Sequence, residues 1–234
     1  MKAILGANPR LIDVWLRLGE VQLELGEVDA SIESYKAAIA NSGVFSGDLF
    51  ARLGNVYLQA GRLDEASEAA RLAMTGSPDE SRTLSARIAL ARRDAADAET
   101  FARALTSESD AVPSDFLLLA EVLIARGDLP GALQAIDEAQ RRAQQSGIAR
   151  VQGLEMQRGD ALARSDRPDE AIAALEREIA TFPSNRAAYA RLAVLYFLTG
   201  RAADVDRTLQ RLIAANPTPA ARKLAEQTRA RLRG

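Results

Sequence analysis

The sequence predicts an all-α chain built as an α-solenoid, a row of short helical hairpins packed side by side. Three observations predict it. Ala, Leu, Arg and Glu are abundant among the 234 residues, and these are strong helix formers. No long Val/Ile/Thr run offers a strand, and aromatic residues make up only 5%. Small and apolar residues recur in fixed columns roughly every 34 residues, as expected of units that bury their apolar faces only against neighbours.

The columns can be followed along the chain. An anchor of small or apolar residues runs Gly19, Gly54, Ile88, Ala120, Gly159, Ala193, at intervals of 35, 34, 32, 39 and 34 residues. A compact residue follows five anchors by twelve: Ser31, Ala66, Ala132, Ala171 and Val205. After Ile88 the match, Ala98, comes ten on. A bulky residue precedes most anchors by four (Trp15, Phe50, Leu84, Phe116, Tyr189), and Leu precedes four of them by one. Gly26, Gly61, Gly127 and Gly200 follow by seven, where a left-handed residue ends a helix. Pro130 and Pro168 fall where second helices begin, positions at which a missing N–H costs nothing. Small anchors let two helices approach closely, and a larger side chain there would overpack.

Taken in order, the units cover about 12–45, 47–80, 81–112, 113–146, 152–185 and 186–219, each a helix, a tight turn and a helix. The third is expected to lack two residues in its internal turn and has Arg87 where Leu is usual. The fifth carries Glu155, Arg158 and Glu178 in normally apolar columns. Between the fourth and fifth, "RRAQQSGIARVQ" is an insertion, read as extended helices or a loop that bends the stack. Over 219–232, Ala221, Leu224, Ala225, Thr228 and Leu232 form one apolar stripe, as a capping helix needs. Residues 1–9 match "QRLIAANP" at the end of a second helix, so the chain is expected to begin inside a preceding repeat, as a segment of a longer protein. All of 1–234 reads as a single repeat domain.

"DVWLRLGEVQLELGEVDASIESYKAAI" and "DLFARLGNVYLQAGRLDEASEAARLAMTGSP" resemble the tetratricopeptide repeat (TPR) family: an aromatic, then Leu-Gly, then Tyr, Gly, Ala and Pro at set offsets. The resemblance covers roughly 12–219. It implies a right-handed superhelix of about six helix–turn–helix repeats with a C-terminal capping helix. It also implies a protein or peptide as partner, held by a scaffold rather than transformed.

Composition removes other classes. The chain has neither His nor Cys, so imidazole bases, thiol nucleophiles, disulfides and the usual zinc ligands are all absent. Ser residues have no His to activate them, and "GLEMQRGDA" has neither the spacing nor the Lys of a phosphate loop. No enzyme activity, catalytic residue, cofactor or metal is therefore expected. A net charge of −2 argues against nucleic acid as partner. Apolar runs are too short for membrane insertion. Cytoplasmic and periplasmic locations are both compatible with the sequence, and the Ala/Arg-rich composition hints at a bacterial source.

In the TPR family the first helices line a concave groove. Carried over by spacing, the resemblance points to Leu16, Glu20, Leu23; Asn55, Leu58; Arg82, Arg92; Leu117, Glu121, Ile124; Met156, Asp160; and Val194, Phe197 as partner-binding candidates. Three-four-three spacing keeps each set on one helix face. Such a groove is acidic at Asp13, Glu20 and Asp48, basic at Arg82 and Arg92, and apolar at Val194, Phe197 and Leu198. Some TPR domains hold a chaperone's C-terminal carboxylate through Lys and Asn. Here only Asn55 fits, and Leu16, Ala51 and Ala86 stand where basic or amide residues are needed. Two other readings stay open. "FPSNRAAYARLAVLYFLTGRAADVDRTLQRLIAANPTP" is similar to TPR tails of some bacterial sulfatase-like hydrolases, which makes the chain an accessory or oligomerisation module of a larger enzyme. The exposed apolar surface also suits a homo-oligomer.

Overall fold

The computed structural model describes residues 11–233, so the expected remnant of a preceding repeat at 1–9 lies outside the described residues. Among them are thirteen helices and no strand. The chain divides after Glu108 into two compact units. The first holds α1 (Ile12–Glu24), α2 (Val28–Asn41), α3 (Gly47–Gln59), α4 (Leu63–Ala73), α5 (Pro78–Ala91) and α6 (Ala95–Thr106). The second holds α7 (Pro113–Arg126), α8 (Leu129–Gln145), α9 (Leu154–Arg164), α10 (Pro168–Thr181), α11 (Arg186–Leu198), α12 (Ala202–Ala215) and α13 (Pro219–Arg233). Successive helices pair as hairpins, three in each unit, and α13 closes the second unit by packing on α11 and α12.

One backbone device ends every first helix. An N–H just beyond the helix end reaches back to a carbonyl five residues earlier. These bonds are Glu27 to Gln22 (2.8 Å), Arg62 to Tyr57 (2.9 Å) and Asp94 to Ala89 (2.8 Å) in the first unit. In the second they are Asp128 to Leu123 (2.9 Å), Arg167 to Leu162 (3.0 Å) and Arg201 to Tyr196 (2.8 Å). This closure satisfies otherwise orphaned carbonyls and requires a left-handed residue before the donor. Gly26, Gly61, Gly127 and Gly200 supply it, with φ between +72° and +83°. Arg93 (φ +62°) and Asp166 (φ +56°) supply it in the third and fifth hairpins, without the freedom of glycine.

Arg93 corrects the expected register of the third repeat. Counting back seven residues from the left-handed position puts the anchor at Ala86, not Ile88, and Ala98 then follows by the usual twelve. The α5–α6 turn, Arg92 to Asp94, is as long as the α1–α2 turn, Leu25 to Glu27. The missing residues are at the previous helix instead: α4 has 11 residues, whereas α2 has 14.

The anchor and compact columns form the hairpin seams. Ser31, Ala66, Ala98, Ala132 and Ala171 are wholly buried, and Val205 nearly so. In the first unit Ser31 Oγ donates to the Gly19 carbonyl at 2.8 Å, so a hydroxyl sits in this column without an unmet bond. Ile32, Tyr35, Leu53, Val56, Leu84 and Ile88 make its core. The second unit has a separate core of Leu175, Tyr189, Leu192, Leu209, Leu212, Ala221 and their neighbours. Ala221 and Ala225 bury the inner stripe of α13, the role the capping stripe requires.

The insertion is both a longer helix and a loop. α8 runs 17 residues, and residues 146–153 then cross to α9. The charged residues of the fifth repeat hold this region together. Arg158 donates to Asp137 (2.8 Å) and Gln140 (2.9 Å) on α8, and Glu155 accepts from Arg177 of α10 at 2.8 Å. Glu178 is 1% exposed, and its Oε1 accepts from the Gly153 N–H of the loop at 2.8 Å.

Candidate functional site

In the second unit α9 and α11, together with α13, border an open cleft of about 420 Å³. α9 contributes Asp160, Ala163 and Arg164; α11 contributes Ala190, Arg191, Val194 and Leu198; α13 contributes Leu224, Gln227 and Arg231. Helical spacing explains the sharing: Asp160, Ala163 and Arg164 are three and four residues apart, as are Ala190, Arg191 and Val194. Leu224, Gln227 and Arg231 repeat the same interval on α13.

The walls differ in chemistry. Ala163, Ala190, Val194, Leu198 and Leu224 make an apolar strip, and Leu198 is 73% exposed, a large hydrophobe left facing water. Asp160 accepts from Arg191 Nε at 2.6 Å. Burial pushes the Asp160 carboxyl above its ordinary value; Arg191 and Arg164 pull it back, and Glu121 adds to the upward push. Arg191 also sets Nη1 3.0 Å from Met156 Sδ, which fixes the guanidinium from two sides. Arg164 Nη1 donates at 2.9 Å to the Ile124 carbonyl at the end of α7, which also accepts from the Gly127 N–H at 3.1 Å. With Arg231 the cleft holds three guanidinium groups against one carboxylate.

Of the residues singled out from sequence, Asp160, Val194 and Leu198 come together in this cleft. Met156 packs beneath it against the second unit's core, and Phe197 stands 47% exposed on α11. Glu121 is exposed on α7, but Leu117 and Ile124 of the same helix are buried. In the first unit Leu16, Leu23 and Leu58 are partly buried against its core. Glu20 pairs with Arg17 at 2.9 Å, and Asn55 Nδ2 donates to the Ala51 carbonyl of its own helix at 2.9 Å. Arg82 pairs with Asp79 (2.7 Å) and Glu108 (3.5 Å), and Arg92 with Asp64 (2.8 Å). Counting from Ile88 had put Arg82 and Arg92 on the expected face; the register set by Ala86 puts Glu80, Thr83, Arg87 and Leu90 there. Sequence reading placed Leu224 only on the capping stripe, and spacing missed Arg164, Arg191 and Arg231. The i,i+4 step from Asp160 to Arg164 was the one signal available for any of them.

Among the described residues no three His, Cys, Asp or Glu side chains gather to hold a metal ion, and no helix is long and apolar enough to cross a membrane. Two family models, both described as tetratricopeptide repeat, match residues 16–81 and 162–228. The chain is a tetratricopeptide-repeat protein. No curated relative matches its sequence. Solved TPR structures agree in fold. A chain of the APC/C hetero-tetramer Cut9-Hcn1 is 14% identical with TM-score 0.66, over 97% of this chain and 44% of that one. A tetratricopeptide repeat protein from Parabacteroides merdae is 16% identical with TM-score 0.60, over 94% of this chain and 85% of that one. Yeast Tom70 is 16% identical with TM-score 0.58, over 87% and 44%. This TPR chain thus spans less than half of the Cut9-Hcn1 and Tom70 chains it matches. TPR repeats generally bind proteins or peptides and are generally non-catalytic.

Proposed function

We propose that this TPR protein is a non-catalytic scaffold, and that the α9–α11–α13 cleft holds a segment of another protein. One observation carries the reading: an apolar strip, exposed at Leu198 and half-buried at Val194 and Leu224, lies beside Arg164, Arg191 and Arg231 with a single carboxylate, Asp160, among them. A partner side chain that is apolar fits the strip, and an acidic neighbour on the same segment meets the excess of guanidinium groups. Arg suits this role because its planar fork takes a carboxylate in two parallel bonds.

Selection of a displayed random peptide library on the wild-type protein tests this. The peptides recovered should share an apolar residue flanked by Asp or Glu. They should bind Leu198→Asp about tenfold or more weakly, since the variant puts a carboxylate on the strip. Leu198 is largely exposed, so the variant keeps its fold, checked by circular dichroism. Selected peptides that bind wild type and Leu198→Asp equally would overturn the cleft assignment. A second copy of the chain seated there would appear instead as concentration-dependent mass in light scattering that Leu198→Asp abolishes.

A further inference from the structure

A second pocket, of about 200 Å³, lies away from the cleft, between the 146–153 loop, α8, α9 and α10. Glu178 borders it. The column Glu178 occupies is apolar in every other repeat: Ala38, Ala73, Leu105, Ala139 and Leu212 stand at the equivalent places, each no more than 2% exposed. A carboxylate here gives up its hydration, a cost that packed Ala or Leu avoids.

Its bonding leaves half of it unused. Oε1 takes both donors, the Gly153 N–H at 2.8 Å and Asn185 Nδ2 at 2.7 Å. Oε2 is buried and has no hydrogen-bond partner. A glutamine would offer the same single acceptor to Gly153 and Asn185 without a buried charge, so pinning the loop does not by itself call for Glu. The unused oxygen does call for an N–H donor, and a positively charged one makes the strongest bond to it. The pocket that Glu178 borders has an apolar wall from Ile148, Leu154 and Phe182 and carries the Gln144 amide, while the Gln140 amide oxygen is taken by Arg158 at 2.9 Å. Of the other charges on the lining, Glu155 is held by Arg177 and Arg158, and Arg150 stands exposed on the loop.

We propose that this pocket is a binding site for an alkylammonium group, either a lysine side chain on a partner segment or a free amine, with Glu178 Oε2 as its acceptor. The alkyl stem lies along Ile148, Leu154 and Phe182, and the ammonium completes the bonding of the buried carboxylate. The site is independent of the cleft and stands or falls separately from it.

The Gly153 amide and the Asn185 side-chain amide both bond Glu178, so their resonances in a 1H–15N spectrum report directly on it. The full chain is titrated at constant ionic strength with n-butylammonium chloride, and separately with tetramethylammonium chloride, which has charge but no N–H. Saturable shifts of both resonances with n-butylammonium and none with tetramethylammonium are expected. Glu178→Gln keeps the Oε1 bonds and should bind n-butylammonium about tenfold or more weakly. Equal responses to the two cations in the wild type would overturn the proposal even if the Gln variant failed to fold. So would equal titrations of wild type and Glu178→Gln. A capped peptide with one central lysine, run beside its acetyl-lysine form, separates the sources. Saturation by the lysine form alone assigns a partner side chain; saturation only by n-butylammonium assigns a free amine.

Discussion

Gly54 shows how little room a TPR hairpin leaves. A Cβ built there would run into Leu84 Cδ2 and lie 3.1 Å from the Ala69 Cβ. Leu84 is wholly buried, so it has nowhere to retreat. Gly54→Ala should therefore destabilise the protein by about 1–3 kcal/mol, read from the midpoint of urea unfolding. The opposite sign is expected at Arg93. Its left-handed backbone costs an ordinary L-residue about 1–2 kcal/mol, part of which glycine gives back in unfolded-state entropy. Arg93→Gly should stabilise by about 0.5–1 kcal/mol, seen as a higher melting temperature; an unchanged or lower one would show that the turn imposes no strain. These two residues also mark what could be read in advance. Gly54 announced its close approach by its column, and the glycines of four turns announced their left-handed backbone by theirs. Arg93 gave no such sign, because a backbone hydrogen bond sets the turn and tolerates a non-glycine at a cost. Placing the third anchor at Ile88, 34 residues after Gly54, set it two residues late.

Between elements, ion pairs tie one hairpin to the next. Glu176 on α10 accepts both guanidinium nitrogens of Arg211 on α12, at 2.9 and 2.8 Å, and Tyr196 of α11 donates to it at 3.3 Å. Arg211 also lies over the Tyr189 ring, with 6.0 Å to its centroid. The Arg211 hydrogen bonds hold the Glu176 carboxyl below its ordinary value against the upward push of burial. A carboxylate whose folded pKa is depressed contributes stability that is present above its unfolded pKa and lost as pH falls through the folded one. Glu176→Gln should thus cost about 0.5 kcal/mol at pH 7, modest because both partners are over a third exposed. Wild type and variant should converge as the carboxyl protonates in acid. Urea unfolding at pH 7 and at pH 3 checks this, and a constant difference would show that the loss comes from packing. The charged residues of the fifth repeat were visible in sequence as breaks in apolar columns. Their partners were not, because Asp137, Gln140 and Arg177 sit on helices whose facing sides depend on packing angles that spacing leaves open.

At the scale of the whole chain, the all-α class and the TPR family were legible because they rest on many weak columns that agree. A partner face was less so, since exposure depends on which residues neighbouring helices cover. Leu117 and Ile124 share α7 with exposed Glu121 yet are buried, and Arg191 entered the cleft only through Asp160 and Met156. Repeat stability is close to a sum of unit and nearest-neighbour terms, so a stretch with its own buried cluster has what it needs to fold. Each side of Glu108 has one: Ile32, Leu53, Val56 and Leu84 in the first unit, Leu175, Leu192, Leu209 and Leu212 in the second. Residues 1–108 and 109–234, expressed as separate chains, should each keep a helical far-UV circular dichroism spectrum and unfold in urea along a single sigmoid. The second fragment should also retain the cleft, because α9, α11 and α13 all belong to it, and bind the selected peptides with unchanged affinity. A fragment that is unfolded, or that melts without a cooperative transition, would show that its core cluster does not suffice, and that stability in this chain is a property of the full row of helices.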